Sequence, residues 1–355
     1  MKTNNPSRTS TQSRRFRTAA ALAALPARAV MSSKRVWASV RSRAFARLAV
    51  VLCAFALVAP SCVTNFTDPS ISSPEGIAAG PDGNVWFTNH GNSSIGRITP
   101  AGVVSNFTDP SISEPTGIAA GPDGNLWFTN FGNNSIGRIT PAGVVSNFTD
   151  PSISAPWGIT AGPDGNLWFT NFGTHPDYPD SSIGRITPAG VVSNFTDPSI
   201  SNPEAIAAGP DGNLWFTNSG NNSIGRITPA GIVSNFTDPS IDHPAGIAAG
   251  PDGGIWFTNF GIAERGNNSI GRITPAGVVS KFTHPTIRNP VGIAAGPDGN
   301  LWFTNSSGIG RITPAGIYSN FTNPNIRNAH GIAAGPDGDM WITNLGNSSI
   351  GRITP

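Results

Sequence analysis

Short apolar runs separated by turn residues repeat along the chain from Val63 onward. Each unit reads Gly-Ile-Ala-Ala, Gly-Pro-Asp-Gly, Asn-Leu-Trp-Phe-Thr-Asn, a short Gly/Asn/Ser loop, Ile-Gly-Arg-Ile, Thr-Pro-Ala-Gly and Val-Val-Ser-Asn-Phe-Thr, with small variations. The apolar runs are too short for helices, and Pro-Asp-Gly and Pro-Ala-Gly supply turn chemistry, so each unit predicts four strands. The Asn/Lys-Phe-Thr triplet stands at Asn65, Asn106, Asn147, Asn194, Asn235, Lys281 and Asn320, which makes seven units spaced 39 to 47 residues apart.

Four short strands in about 40 residues are the dimensions of a propeller blade. The last unit stops at Pro355 without its fourth strand, while Val63–Thr67 is a fourth strand lacking its first three. The expectation is an all-β, seven-bladed β-propeller of four-stranded blades, closed by the N-terminal strand completing blade seven. The matched tryptophans from Trp86 to Trp341 read as wedges between blades. The Asp-Gly turns and the arginines from Arg97 to Arg352 read as structural partners.

Composition agrees, with 42 Gly and 32 Pro among 355 residues and only 12% charged. The net charge of +2 hides a division. Eleven of the 22 Lys/Arg precede residue 48 and every acidic residue follows residue 67, so residues 63–355 carry 11 − 20 = −9. An acidic body repels a phosphate backbone, and nucleic acid is excluded as a partner. Both cysteines, Cys53 and Cys62, fall outside the body, which therefore has no thiol for a disulfide, a zinc site or a nucleophile.

Residues 1–62 read as a leader. A basic stretch ending at Arg47 precedes the apolar run Leu48–Ala59, and Ala59 and Ser61 are the small residues of a cleavage site after Ser61. Met31 is a more ordinary signal start than Met1. Twelve apolar residues are too few to span a bilayer, so no transmembrane span is expected in the mature chain. Export to the medium, the periplasm or the cell envelope follows, with a lipid anchor at Cys62 as the alternative to a soluble form. The chain is read as a bacterial monomer.

Differences among the copies point to function. Turns after strands one and three share a uniform face, and the loops after strands two and four collect the variation on the other. Before the Gly-Ile of each first strand, Ala205-Ile206 in blade four, stand Glu75, Thr116, Trp157, Glu204, Ala245, Val291 and, in blade seven, His330. If that strand is innermost, these side chains ring the channel mouth. Ring closure makes His330 and Glu75 neighbours, a base and a carboxylate suited to general acid–base work, with His90 in the adjoining loop and Glu204 across the channel. Trp157 offers a stacking platform, and with Thr116, Glu204 and His90 completes the candidate ligand-binding set. His175, His243 and His284 read as solvent-exposed residues of outer loops.

The unit Gly-Ile-Ala-Ala-Gly-Pro-Asp-Gly-Asn-Leu-Trp-Phe-Thr followed by Ile-Gly-Arg-Ile-Thr-Pro closely resembles the repeats of the virginiamycin B (streptogramin B) lyase family over residues 63–355. The resemblance implies a Mg-dependent carbon–oxygen lyase that opens a cyclic depsipeptide ester by elimination. It also implies site positions. The family's histidine of blade six falls on Val291, its Glu-x-His of blade seven on Asn328 and His330, and its loop glutamate on Leu345. His330 alone is kept. The glutamate that ends the family's Trp-Phe-Thr-Glu segment is asparagine in every blade, from Asn89 to Asn344. Three functions follow: a lyase, a non-catalytic propeller of the envelope or medium that binds a small molecule or glycan at the channel mouth, and a structural repeat protein.

Overall fold

A computed structural model describes residues 63–173, 180–261, 268–306 and 308–355. The leader, including Met31, Cys53 and Cys62, lies outside them, as do His175 and most of the two longer loops. Seven antiparallel four-stranded sheets form the blades. Blade one is typical, with strands Pro74–Ala79, Val85–Asn89, Ser94–Ile98 and Val104–Phe107 in sequential order. Among the described residues no helix is long and apolar enough to cross a membrane.

Blade seven closes the ring as the truncated last unit requires. Val63–Phe66 pairs antiparallel with Ser349–Ile353, matching Val63 to Ile353 and Phe66 to Ile350. The same register joins Val104 to Ile98 and Phe107 to Ile95 in blade one. A seam joined by main-chain pairing exposes no extra strand edge at the closure.

The core lies between blades. Trp86 and Ile95 of blade one pack with Ile118, Leu126, Phe128 and Ile139 of blade two. Trp341 and Ile350 of blade seven pack the same way against Ile77, Val85 and Phe87 of blade one. Each second strand is buried along its whole length, because a propeller sheet is covered on both faces.

Each tryptophan is also tied to its turn. Trp127 Nε1 donates to Asp123 at 3.0 Å, its ring stacks on Phe148 at 5.2 Å, and the Arg138 guanidinium sits 5.4 Å from both rings. Arg138 lies 3.7 Å from Asp123 and donates to Pro188 O of the next blade. Desolvation raises and hydrogen bonds from Asn125, Trp127 and the backbone lower the pKa of Asp123, with a net lowering. The turn carboxylates are therefore spent on structure, and so are the arginines.

Candidate functional site

The first strand of each blade is innermost, and the residue before its Gly-Ile faces the channel. In six blades this strand carries a bulge. In blade one Pro74 pairs with Asn89 and Ile77 with Phe87, so one extra residue is fitted between them. A bulge re-aims side chains, and here it turns Glu75 into the channel. Blade six differs, its strand beginning only at Ile293, after Val291.

A buried threonine fixes each of these positions. Thr88 accepts from Gly76 N at 2.9 Å and donates to Thr116 O of blade two at 2.7 Å. Thr304 donates to His330 O, and Thr343 donates across the ring closure to Glu75 O at 2.7 Å. Gly117 fits because a Cβ there would stand 2.5 Å from Trp157 O. Inner strands are thus locked at close approach, and the channel mouth is preformed.

All seven residues expected at the mouth, from Glu75 to His330, line one cavity of about 230 Å³. That is below the size that encloses a drug-sized ligand, so such a ligand would lie across the mouth with one substituent inserted.

The ionisable corner lies between blades seven and one. His90, on the turn after Asn89, brings Nδ1 to 3.8 Å from Glu75 Oε1, beyond hydrogen-bond length. Glu75 Oε2 and His90 Nδ1 are buried without a hydrogen-bond partner. His330 meets Glu75 through the latter's backbone, so the imidazole that faces the carboxylate is His90. Desolvation pushes the Glu75 carboxyl up, against the pull of His90. Desolvation pulls the His330 imidazole down, and the neighbouring His90 adds to this. A neutral imidazole can accept a proton.

Across the channel, burial raises the pKa of Glu204, opposed by a hydrogen bond from Ser219 and the charge of His243. His243, expected in open solvent, is half-exposed with Nδ1 3.1 Å from Asp242. His284 is exposed, bonded to Thr286 and beside the Tyr318 ring.

Thr116 belongs to the wall. It is 2% exposed, and its hydroxyl bonds with Thr129 and donates to Trp157 O. Trp157 is half-buried and not alone. Phe131 meets it edge-on at 5.6 Å and Phe172 at a 40° tilt at 6.1 Å. The two phenylalanines stand where blade one has His90. The sequence reading missed this corner, although the residue after the second-strand asparagine also varies from blade to blade, as His90, Phe131, Phe172, Ser219, Phe260, Ser306 and Leu345.

The asparagines that replace the family's glutamate are hubs. Asn130 accepts from Ser113 N and donates to Ser111 O, Ser135 and Asn147, linking the inner loop to the outer strand. All seven are buried.

The virginiamycin B lyase family model matches residues 62–263 and 175–355. The chain belongs to that family. A streptogramin B lyase structure is 33% identical over 82% of this chain and 97% of its own, with TM-score 0.74. Virginiamycin B lyase from Staphylococcus aureus, solved as a catalytically inactive variant with quinupristin, is 33% identical over 82% of this chain and 99% of its own, also with TM-score 0.74. A hydrazine synthase of Kuenenia stuttgartiensis, 17% identical over 81% of this chain and 97% of its own with TM-score 0.67, shares the fold. So does the extracellular domain of a two-component system from B. thetaiotaomicron, 15% identical over 83% of this chain and 43% of that one, TM-score 0.66. Among curated proteins, none matches the sequence.

At the positions the resemblance implies, the described residues do not supply a donor set that fits Mg²⁺. Val291 and Leu345 offer no oxygen or nitrogen in their side chains. Among the described residues no three His, Cys, Asp or Glu groups converge on one point.

Proposed function

We propose that this family member binds a compact, aromatic-bearing small molecule across the channel mouth and lacks the Mg-assisted elimination of its lyase relatives. The observation that carries this reading is the Phe131, Trp157 and Phe172 corner, which blades two and three form at the cavity edge. Aromatic faces set at different angles hold a ligand ring by stacking and edge contacts. Apolar lining with a few convergent polar groups is the usual make-up of a ligand site. Those polar groups are Glu75, Glu204 and His330.

A second reading keeps chemistry at the blade-seven corner. His330, held neutral by burial, would take the proton next to the ligand's carbonyl as the carbon–oxygen bond breaks and the ester's acyl part leaves as a carboxylate, and the negative potential of Glu75 would steady the imidazolium so formed. An elimination of this kind needs no group that the chain fails to supply, although it would lack the electrostatic stabilisation a metal provides. The leader supports export, as a soluble monomer or as a lipoprotein anchored at Cys62.

Calorimetric titration with quinupristin, followed by chromatography of the mixture, tests both. Binding is expected in the wild type and its loss in Trp157→Ala, with the ester intact. Absence of binding, or unchanged binding in Trp157→Ala, defeats the first reading. An opened ester whose formation stops in His330→Ala replaces it with the second. Binding of an oligosaccharide by the same Trp157 would move the ligand class to glycans.

A further inference from the structure

We propose that the ligand of the channel mouth carries an anionic group, which blades six and seven receive through Arg288 and Arg327. This rests on the reading of the mouth as a ligand site, and names the chemistry of what it takes.

The repeat supplies its own control. The loops entering blades one to five each begin with an aspartate, Asp68, Asp109, Asp150, Asp197 and Asp238, which accepts from the serine two residues on. These hydrogen bonds lower the pKa of each, so all five are charged. In the loops entering blades six and seven the aspartate is replaced by His284 and Asn323, which keep the turn by bonding Thr286 and Asn325. Four positions on, Ser72, Ser113, Ser154 and Ser201 give way to Arg288 and Arg327. Upstream, at the end of the preceding blade, Lys281 stands where the repeat has asparagine. In blades six and seven each of these changes moves charge in the positive direction, whereas blade five carries Asp242 at the serine's place; the two arginines fall in adjacent loops and Lys281 in the strand before the first of them.

Among the described residues no acid pairs with these three cations, Lys281, Arg288 and Arg327, all of which are exposed. The described acids of blades six and seven, Asp298, Asp337 and Asp339, lie in turns of the opposite face and face Arg311 and Arg352. Asp242 of blade five bounds the sector and is next to His243. In a body of charge −9 this is a local reversal of sign, and it leads to the cavity. Arg288 is three residues from Val291 and Arg327 three from His330, at most about 10 Å along an extended chain. A guanidinium pair at that distance can hold a carboxylate, sulfonate or phosphate while the ligand's ring reaches Trp157.

Two fluorescent probes with the same aromatic core test this: 8-anilinonaphthalene-1-sulfonate and its uncharged counterpart N-phenyl-1-naphthylamine. The sulfonate is expected to bind about tenfold tighter at low salt, and to lose that advantage as ionic strength screens the arginines. Arg288→Ser with Arg327→Ser restores the residue four other blades carry, so folding is preserved. In that variant the two probes should bind alike, with the neutral probe unchanged. Trp157-dependent binding of the neutral probe with no sulfonate advantage overturns the anion site and leaves the mouth as a ligand site. A sulfonate advantage that survives the double substitution also overturns it. Failure of both probes to bind overturns the anion site together with the reading on which it rests.

Discussion

Ser349 donates its hydroxyl to Asn65 at 2.8 Å although 284 positions separate the two residues. Ser94 makes the same bond to Asn106 within blade one, also at 2.8 Å. The closing seam therefore repeats the side-chain wiring of an ordinary blade as well as its strand pairing.

Deleting residues 63–68 removes that wiring and uncovers Ser349–Ile353 as an edge. The shortened protein is expected to melt at a lower temperature or to associate through the open strand. Thermal melting with light scattering decides it, and a monomer with the wild-type midpoint would speak against closure.

Tight inner-strand contact predicts an asymmetry between two conservative exchanges. Gly117→Ala places a methyl 2.5 Å from Trp157 O and should cost about 1–3 kcal/mol. Ala205→Gly in blade four, where the alanine is already accommodated, should cost about 1 kcal/mol or less. Urea denaturation of both variants is the comparison, and equal losses would contradict the locking of the inner strands.

Asn130 holds four hydrogen bonds with no exposed surface. Asn130→Ala leaves Ser113 N without this acceptor and should lower stability by about 1–3 kcal/mol. Asn130→Asp, which keeps the acceptor but buries a charge and loses the donors, should be no better. Chemical denaturation of the three proteins measures this, and near-wild-type stability of either variant would contradict the hub.

Burial sets opposite pH dependences at one corner. The folded protein resists protonating His330, while the unfolded chain takes a proton near pH 6.5, so this contribution is present above that pH and fades as pH falls below it. Glu75 acts the other way, its contribution being greatest below the usual carboxylate range and lost as pH rises through its raised value. Between about pH 7.5 and 5.5 the wild type should lose melting temperature that His330→Gln retains. Parallel melting curves in the two proteins would show that His330 is not desolvated.

Seven blades, their strand order and the closure at Val63 were legible in the sequence because a repeat must bury the same faces in every copy. The position of each mouth residue was legible too, since Glu75, Trp157 and His330 occupy one register. Contacts between copies were not. His90 faces Glu75, and Phe131 and Phe172 gather on Trp157, because neighbouring inner strands are latched at close approach by the buried threonines. Thr116 showed the same limit, since its hydroxyl reads as a ligand contact until the next blade's carbonyl is seen accepting it. The sequence by itself determined the ring and which residues share its mouth, because both follow from local periodicity. Which of those residues touch, and which have their titration shifted by burial, was decided only by the tertiary structure, because distance and desolvation depend on how neighbouring blades pack.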